Sequence, residues 1–205
     1  MEIKNKKIWQ HAAGDTDRNY VDICLKWDVI LNGPGYAGKL PECKIKLLAD
    51  GWKSRKITGL LRFSEEMHDG DIVVLRLGTT DVHGVGVIVG NYEWLEQFSD
   101  VDGWDLQHVR RVRWLWKNLE KPKTFPKYTL KLGDTTQELT SLAVKDWIKS
   151  IDVASEELER DTIQLPLESS KKVDFRKISE NLFYQGISSN SIETLEADLY
   201  ILSRV

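Results

Sequence analysis

Cysteine and histidine are scarce in this chain, with two and four copies among 205 residues. The two cysteines, Cys24 and Cys43, are too few for a disulfide framework and lack the CxxC spacing of a zinc or redox motif. The four histidines are scattered, so no Cys/His cluster suits a structural zinc ion. We therefore expect neither a metal nor a cofactor.

Long apolar runs are missing as well. No stretch approaches the roughly 18 apolar residues that a membrane-spanning helix needs. The segment Met1–Lys7 is basic, but the apolar core of a signal peptide does not follow it. These two absences predict a cytoplasmic protein with no membrane partner.

Catalytic motifs are incomplete. The glycine loop at 32–39 lacks the Lys-Ser/Thr ending of a phosphate-binding loop, and Pro34 removes a backbone donor from it. The chain has no Gly-x-Ser-x-Gly nucleophile elbow. Acidic residues at 93–96 and 100–102 lack the strand and lysine context of a nuclease site. We expect no enzyme activity, and a small metal-dependent nuclease is the alternative.

Charge is unevenly distributed along the chain. Residues 1–127 carry 20 basic and 18 acidic side chains, whereas residues 128–205 carry 9 and 14. Within the first part the basic residues cluster at 44–56 and again at 110–127. Such clusters are typical of nucleic-acid contacts or of solvated faces paired with nearby acids.

Hydrophobic patterns predict several short strands separated by turns and by short helices. The predicted strands are 7–13, 27–31, 72–77, 82–89 and 109–116, and residues 63–71 are predicted to form a short helix that ends at a glycine turn. Gly84 and Gly86 alternate within one strand, which indicates strong curvature or close approach of a neighbour. The fold class expected is α+β, a small mixed β-barrel with short helices.

A domain boundary is predicted at 121–127, which holds two prolines and three lysines. Residues 1–120 form the expected nucleic-acid-binding domain. Residues 128–205 have acidic character and mostly helical periodicity, so we expect a helical appendage there.

Tryptophan is abundant, and seven of the eight tryptophans precede this boundary. Trp9 and Trp114 suit a hydrophobic core. Trp52, Trp94 and Trp104 lie in polar, turn-rich contexts, where an aromatic ring is placed to stack on an unpaired base.

A second cluster of functional side chains spans 103–112. Asp105 and His108 can read a base edge, with Trp104 beside them. The alternative is a helix cap with surface ion pairs. The predicted phosphate-binding residues are basic side chains from both clusters: Lys53, Arg55, Lys56, Arg110, Arg111 and Arg113.

Several motifs together resemble those of the EVE domain, a relative of the PUA and YTH folds. They are Trp9 on a first strand, Trp27-Asp28-x-Ile30, the step Met67–Asp71 into a strand, and the glycine-rich strand Gly84–Gly90. The stretch Gly103–Trp114 is similar to one in the modified-DNA-reading module of McrBC-type restriction systems. The resemblance covers Ile8–Trp116, and it departs from the family where Asn32-Gly33-Pro34-Gly35 replaces Arg-Asn-Tyr.

The resemblance implies a PUA/EVE-like barrel that flips a modified base, in the first place a methylated one, into an aromatic pocket. Motif position places Trp9, Trp27 and Asn32 near that pocket, and Tyr36, Trp104, Asp105 and His108 are added from the residue pattern alone. The implied partners are double-stranded DNA carrying a modified base and an effector nuclease or AAA+ subunit of a restriction or defence system. An RNA-binding PUA-like protein is the remaining alternative.

Overall fold

The computed structural model describes residues 6–15 and 17–151, and the predicted appendage beyond Ile151 lies outside them. The strands are β1 (Ile8–Ala12), β2 (Val29–Asn32), β3 (Ile72–Leu77), β4 (Asp81–Trp94), β5 (His108–Lys117), β6 (Lys123–Thr124) and β7 (Thr136–Glu138). The helices are α1 (Val21–Lys26), α2 (Cys43–Ala49), α3 (Ser54–Leu61) and α4 (Leu142–Ser150), with a π-helical turn at Arg62–Glu66 and a 3-10 turn at Glu96–Phe98.

The strands form one sheet with the order β2-β5-β4-β3-β1-β7, and β6 pairs with the start of β4. β1 runs parallel to β3, whereas the other pairs are antiparallel. The sheet curls into a half-barrel with short helices around it. This confirms the mixed α+β class and the curled sheet that the sequence pattern predicts.

Both faces of the central strands are covered. In β3, Val73 and Leu75 point into the core inside the curl, while Ile72 and Val74 join a second core on the outer face. Side chains alternate between faces along a strand, so consecutive apolar residues serve two cores. This explains why Ile72–Leu75 of β3 is a continuous apolar run.

The curvature of β4 depends on small residues. A Cβ at Gly86 would lie 2.4 Å from Val112 Cγ1 and 2.9 Å from the ring of Trp114, and that ring lies equally close to Gly84. The indole of Trp114 therefore packs directly on the β4 backbone. The glycine pattern predicted this close approach, and Trp114 is the residue that makes it.

A β-bulge interrupts the pairing of β4 with β5. Val89 pairs with Arg111 and Glu93 pairs with Val109, so Gly90, Asn91 and Tyr92 oppose the single residue Arg110. Gly90 adopts φ = +71°, a conformation that glycine takes without strain. Bulges redirect side chains out of the regular sheet.

α2 and α3 form a separate small layer. Leu40, Cys43, Leu47, Ile57 and Leu60 make its buried cluster, and Tyr92 from the bulge packs against the same cluster. α3 continues directly into the π-helical turn, whose Phe63 is buried in the core inside the curl. The bulge thus connects the helical layer to the sheet.

The sheet continues past the predicted linker at 121–127. β6 lies in that segment, and Phe125 is buried against α4 in the outer core. β7 then pairs with β1, and Val144 and Ile148 of α4 pack on the same outer face. Residues 128–151 therefore belong to the same packed unit as the sheet, because their apolar side chains complete its second core.

Candidate functional site

Two predicted pocket residues, Trp9 and Trp27, lie in the core inside the curl. Their exposures are 1% and 0%. The Trp9 indole donates a hydrogen bond to Asp71 Oδ2 at 2.8 Å, which ties β1 to the turn before β3. Because neither ring is exposed, these two residues cannot line the predicted pocket, and their role is packing.

The other predicted base readers converge on one loop. Asp105 holds the backbone of 35–36, because its carbonyl accepts from Gly35 N–H at 3.0 Å and its carboxylate accepts from Tyr36 N–H. Asn32 is buried and lies opposite His108 in the β2–β5 ladder. These residues shape the loop and turn their polar groups toward its backbone.

His108 takes part in a hydrogen-bond chain within the protein. Its Nε2 lies 2.9 Å from the Pro34 carbonyl and its Nδ1 lies 2.6 Å from Tyr92 Oη. A carbonyl only accepts, so Nε2 carries the proton and Nδ1 accepts from the Tyr92 hydroxyl. Leu40 N–H in turn donates to Tyr92 Oη at 3.3 Å. Burial lowers the pKa of His108 and raises that of Tyr92 to about 12, consistent with a neutral pair.

Tyr36 and Trp104 are the predicted aromatic residues that remain accessible. The Tyr36 ring is 47% exposed, and its hydroxyl donates to Asp50 Oδ2 at 2.9 Å while Lys46 Nζ lies 5.0 Å from the ring centre. Trp104 is half-buried, and the Arg18 guanidinium covers its ring at 4.5 Å. The structure does not place these two rings in one pocket.

Arg110 is a buried structural residue, which corrects its predicted phosphate-binding role. Its guanidinium donates to the backbone carbonyls of Phe63, Ser64, Met67 and Gly90. Four of its five N–H groups are thereby engaged. Burial lowers the pKa of Arg110, and the nearby carboxylates of Asp71 and Asp69 oppose that shift. The residue holds the π-helical turn against the bulge.

The next two arginines of β5 differ from each other. Arg111 forms a two-pronged ion pair with Glu93, at 2.8 and 3.1 Å, and its side chain is 14% exposed. This pairing agrees with the alternative of a structural ion pair. Arg113 is half-buried, and its Nε has no hydrogen-bond partner among residues 6–15 and 17–151.

Lys53, Arg55 and Lys56 lie together on the surface at the start of α3. Arg55 reaches Asp134 at 3.3 Å but its side chain stays 75% exposed, and Lys56 Nζ lies 5.4 Å from the Trp52 ring. Residues 39–56 contain six basic and two acidic side chains. All six basic residues are exposed, so α2 and α3 present a basic surface, named here the α2–α3 surface.

A second feature is an open cleft of about 540 Å³. One wall comes from the π-helical turn and the segment after it, and the other comes from the bulge. Its lining residues are Ser64, Glu65, Met67, His68, Asp69, Asn91, Tyr92 and Arg110. Tyr92 belongs both to this lining and to the buried packing of the α2–α3 layer, so the cleft borders that layer.

Most cleft residues were not among the predicted site residues. Asn91 and Tyr92 reach the cleft only because the bulge turns them out of β4, and Arg110 lies there because it faces the bulge. The available signal was Gly90-Asn91 directly after the apolar stretch Val85–Val89, a pattern that marks a bulge. Trp52 and Trp94 are half-buried and do not line the cleft.

Across 6–15 and 17–151, no three His, Cys, Asp or Glu side chains are grouped to hold a metal ion. In that same part of the chain, none of the helices combines the length and apolar character needed to cross a bilayer.

Sequence comparison places the chain in a family. Residues 9–140, which include every strand of the sheet except the first residue of β1, match the model of a domain of unknown function, DUF8426. The chain belongs to this family. A search among curated proteins finds no match.

Proposed function

We propose that this chain is a non-catalytic nucleic-acid-binding module that takes one unstacked base into the cleft at Tyr92. The observation that carries the proposal is an open cleft lined by Tyr92, whose ring also packs on the buried side of the helical layer that bears the α2–α3 surface. A base needs an aromatic face, and the phosphates flanking it need nearby cations.

The Tyr92 ring suits the role of stacking platform. Its hydroxyl is held from two sides, by Leu40 N–H and by His108, so the ring is fixed before a ligand arrives. Preorganisation of this kind reduces the entropy lost on binding. A volume of about 540 Å³ falls in the roughly 300–1,000 Å³ range of small-molecule sites. Met67 adds an apolar contact on the same lining.

The finer proposal is a specificity module that reads a modified, in the first place methylated, base flipped from duplex DNA. It follows from the resemblance of the sequence motifs to those of the EVE domain. Assignment of the fold to the PUA/EVE-like barrels is itself part of this proposal. An effector nuclease or AAA+ subunit of a cytoplasmic restriction or defence system then supplies the catalysis. The half-barrel and the base-sized cleft support it.

The test measures fluorescence anisotropy of the full chain with labelled duplexes that carry 5-methylcytosine, N6-methyladenine or no modification, and with matching single-stranded DNA and RNA. Tyr92→Ala should weaken binding about tenfold or more, because stacking on an aromatic ring is worth roughly 1–3 kcal/mol. Tyr92→Phe keeps the ring and should retain most of the affinity.

The basic surface is tested separately. Replacing Lys53 and Lys56 by Gln should weaken binding to every probe and reduce the slope of log affinity against log salt by about 2. The matched control replaces Lys121 and Lys131, which are exposed elsewhere, by Gln. Equal affinities of Tyr92→Ala and the unmodified chain would remove the cleft from the proposal, and a preference for RNA over all DNA probes would favour the PUA-like alternative.

A further inference from the structure

The polar groups that remain free in the cleft are mostly hydrogen-bond acceptors. We infer that the cleft selects a base that carries an exocyclic amino group, as cytosine and adenine do, over thymine or uracil. This inference rests on the proposed function and adds the class of base. It depends on which donors and acceptors the protein has already used.

The donors of the cleft are largely occupied. Arg110 directs its guanidinium to four backbone carbonyls, which leaves it one N–H group. The Ser64 hydroxyl donates toward the carbonyls of Leu60 and Leu61, at 3.2 and 3.3 Å. His68 Nδ1 lies 2.6 Å from the Glu66 carbonyl and therefore carries the ring proton, so Nε2 of the neutral ring can only accept.

The acceptors of the cleft remain available. Asp69 Oδ1 accepts from Gly90 N–H at 2.6 Å, which fixes the carboxylate against the bulge. In the described part of the chain, no donor lies on its second oxygen, Oδ2. Glu65 adds a further carboxylate, and none of the ion pairs among residues 6–15 and 17–151 involves it.

This balance determines which base edge fits. The amino groups at cytosine N4 and adenine N6 each donate through two N–H groups, and carboxylates accept from them, whereas thymine and uracil donate only through N3–H and present a carbonyl oxygen at O4. Placing that oxygen against Asp69 Oδ2 brings together two acceptors without a proton between them. The exposed Asn91 amide both donates and accepts, so it can satisfy a ring nitrogen of either kind.

Asp69→Asn is the test, because it replaces the acceptor Oδ2 by a donor and keeps the acceptor that Gly90 N–H binds. The amide oxygen retains the hydrogen bond from Gly90 N–H, and the NH₂ group takes the place of Oδ2. The experiment measures the dissociation constants of the full chain for labelled oligo-dC, oligo-dA and oligo-dT of equal length. The quantity compared is the ratio of the oligo-dT constant to the oligo-dC constant.

The unmodified chain should prefer oligo-dC and oligo-dA, and Asp69→Asn should lower the ratio by about fivefold or more. The matched control is Glu66→Gln, an exposed neighbour that does not line the cleft. It removes the same charge, so it should change all affinities in parallel and leave the ratio unaltered.

An unchanged ratio in Asp69→Asn, or an equal change in Glu66→Gln, overturns amino-group selection. A different measurement refutes the proposed function, namely that Tyr92→Ala binds each oligonucleotide as tightly as the unmodified chain does. A chain that loses affinity on Tyr92→Ala but keeps its ratio on Asp69→Asn therefore has a base-binding cleft without this selectivity.

Discussion

Replacing Arg110 by Met tests whether this residue holds the fold together. Met preserves the apolar volume of the side chain but leaves the carbonyls of Phe63, Ser64, Met67 and Gly90 without their donor. Hydrogen bonds from a charged donor contribute roughly 1.5–3 kcal/mol each, and the desolvation of the guanidinium offsets part of their sum. We expect the free energy of unfolding to fall by about 3 kcal/mol.

Urea unfolding followed by tryptophan fluorescence measures the change. With a slope of roughly 1–3 kcal/mol per molar urea, the midpoint should fall by about 1–3 M. Arg111→Met is the matched control, since it removes the partly exposed pair with Glu93 and should cost about 1 kcal/mol or less. A midpoint for Arg110→Met as high as that of Arg111→Met would refute the structural role.

Three other predictions concern stability. His11 is buried between Thr136 and the Leu31 carbonyl, and burial lowers its pKa to about 3. As pH falls below about 6.5, the unfolded chain binds a proton that the folded chain does not, so the free energy of unfolding should drop by about 2 kcal/mol between pH 7.5 and 5. A urea midpoint that stays constant over that range would contradict this. Gly86→Ala forces a Cβ against Val112 and should cost roughly 1–3 kcal/mol, seen as a lower thermal midpoint; an unchanged midpoint would show that the strand can move aside. Ser141→Ala removes the cap on Val144 N–H of α4 and should cost about 0.5–1 kcal/mol in urea unfolding, whereas Ser141→Asp should retain the stability.

The positions of the aromatic residues in the fold could not be predicted from the sequence alone. A tryptophan in the core and a tryptophan at a ligand site are the same residue type and can have similar neighbours along the chain. Trp9 and Trp27 became core residues because α1, β5 and the π-helical turn close over them, and those contacts join segments far apart in sequence. Tyr92, by contrast, reaches the cleft through a bulge that exists only in the pairing of β4 with β5.

The basic residues divide in the same way. Lys53 and Lys56 follow the pattern of a short exposed helix, so their surface position could be predicted. Arg110 lies in a strand next to Arg111, and only the opposing bulge directs its guanidinium inward to backbone carbonyls. Charge in a sequence does not reveal whether a partner lies in the solvent, in a ligand or in the fold.

The amino-acid sequence by itself determined the mixed α+β class, the position of β3 and the centres of β1, β4 and β5, because alternation and glycine placement are local properties of the chain. Tertiary structure alone decided that β6, β7 and α4 complete the same unit past the lysine- and proline-rich segment, and that the cleft forms at the bulge. Strand pairing and burial depend on residues remote along the chain, and those contacts are established only when the whole sheet closes.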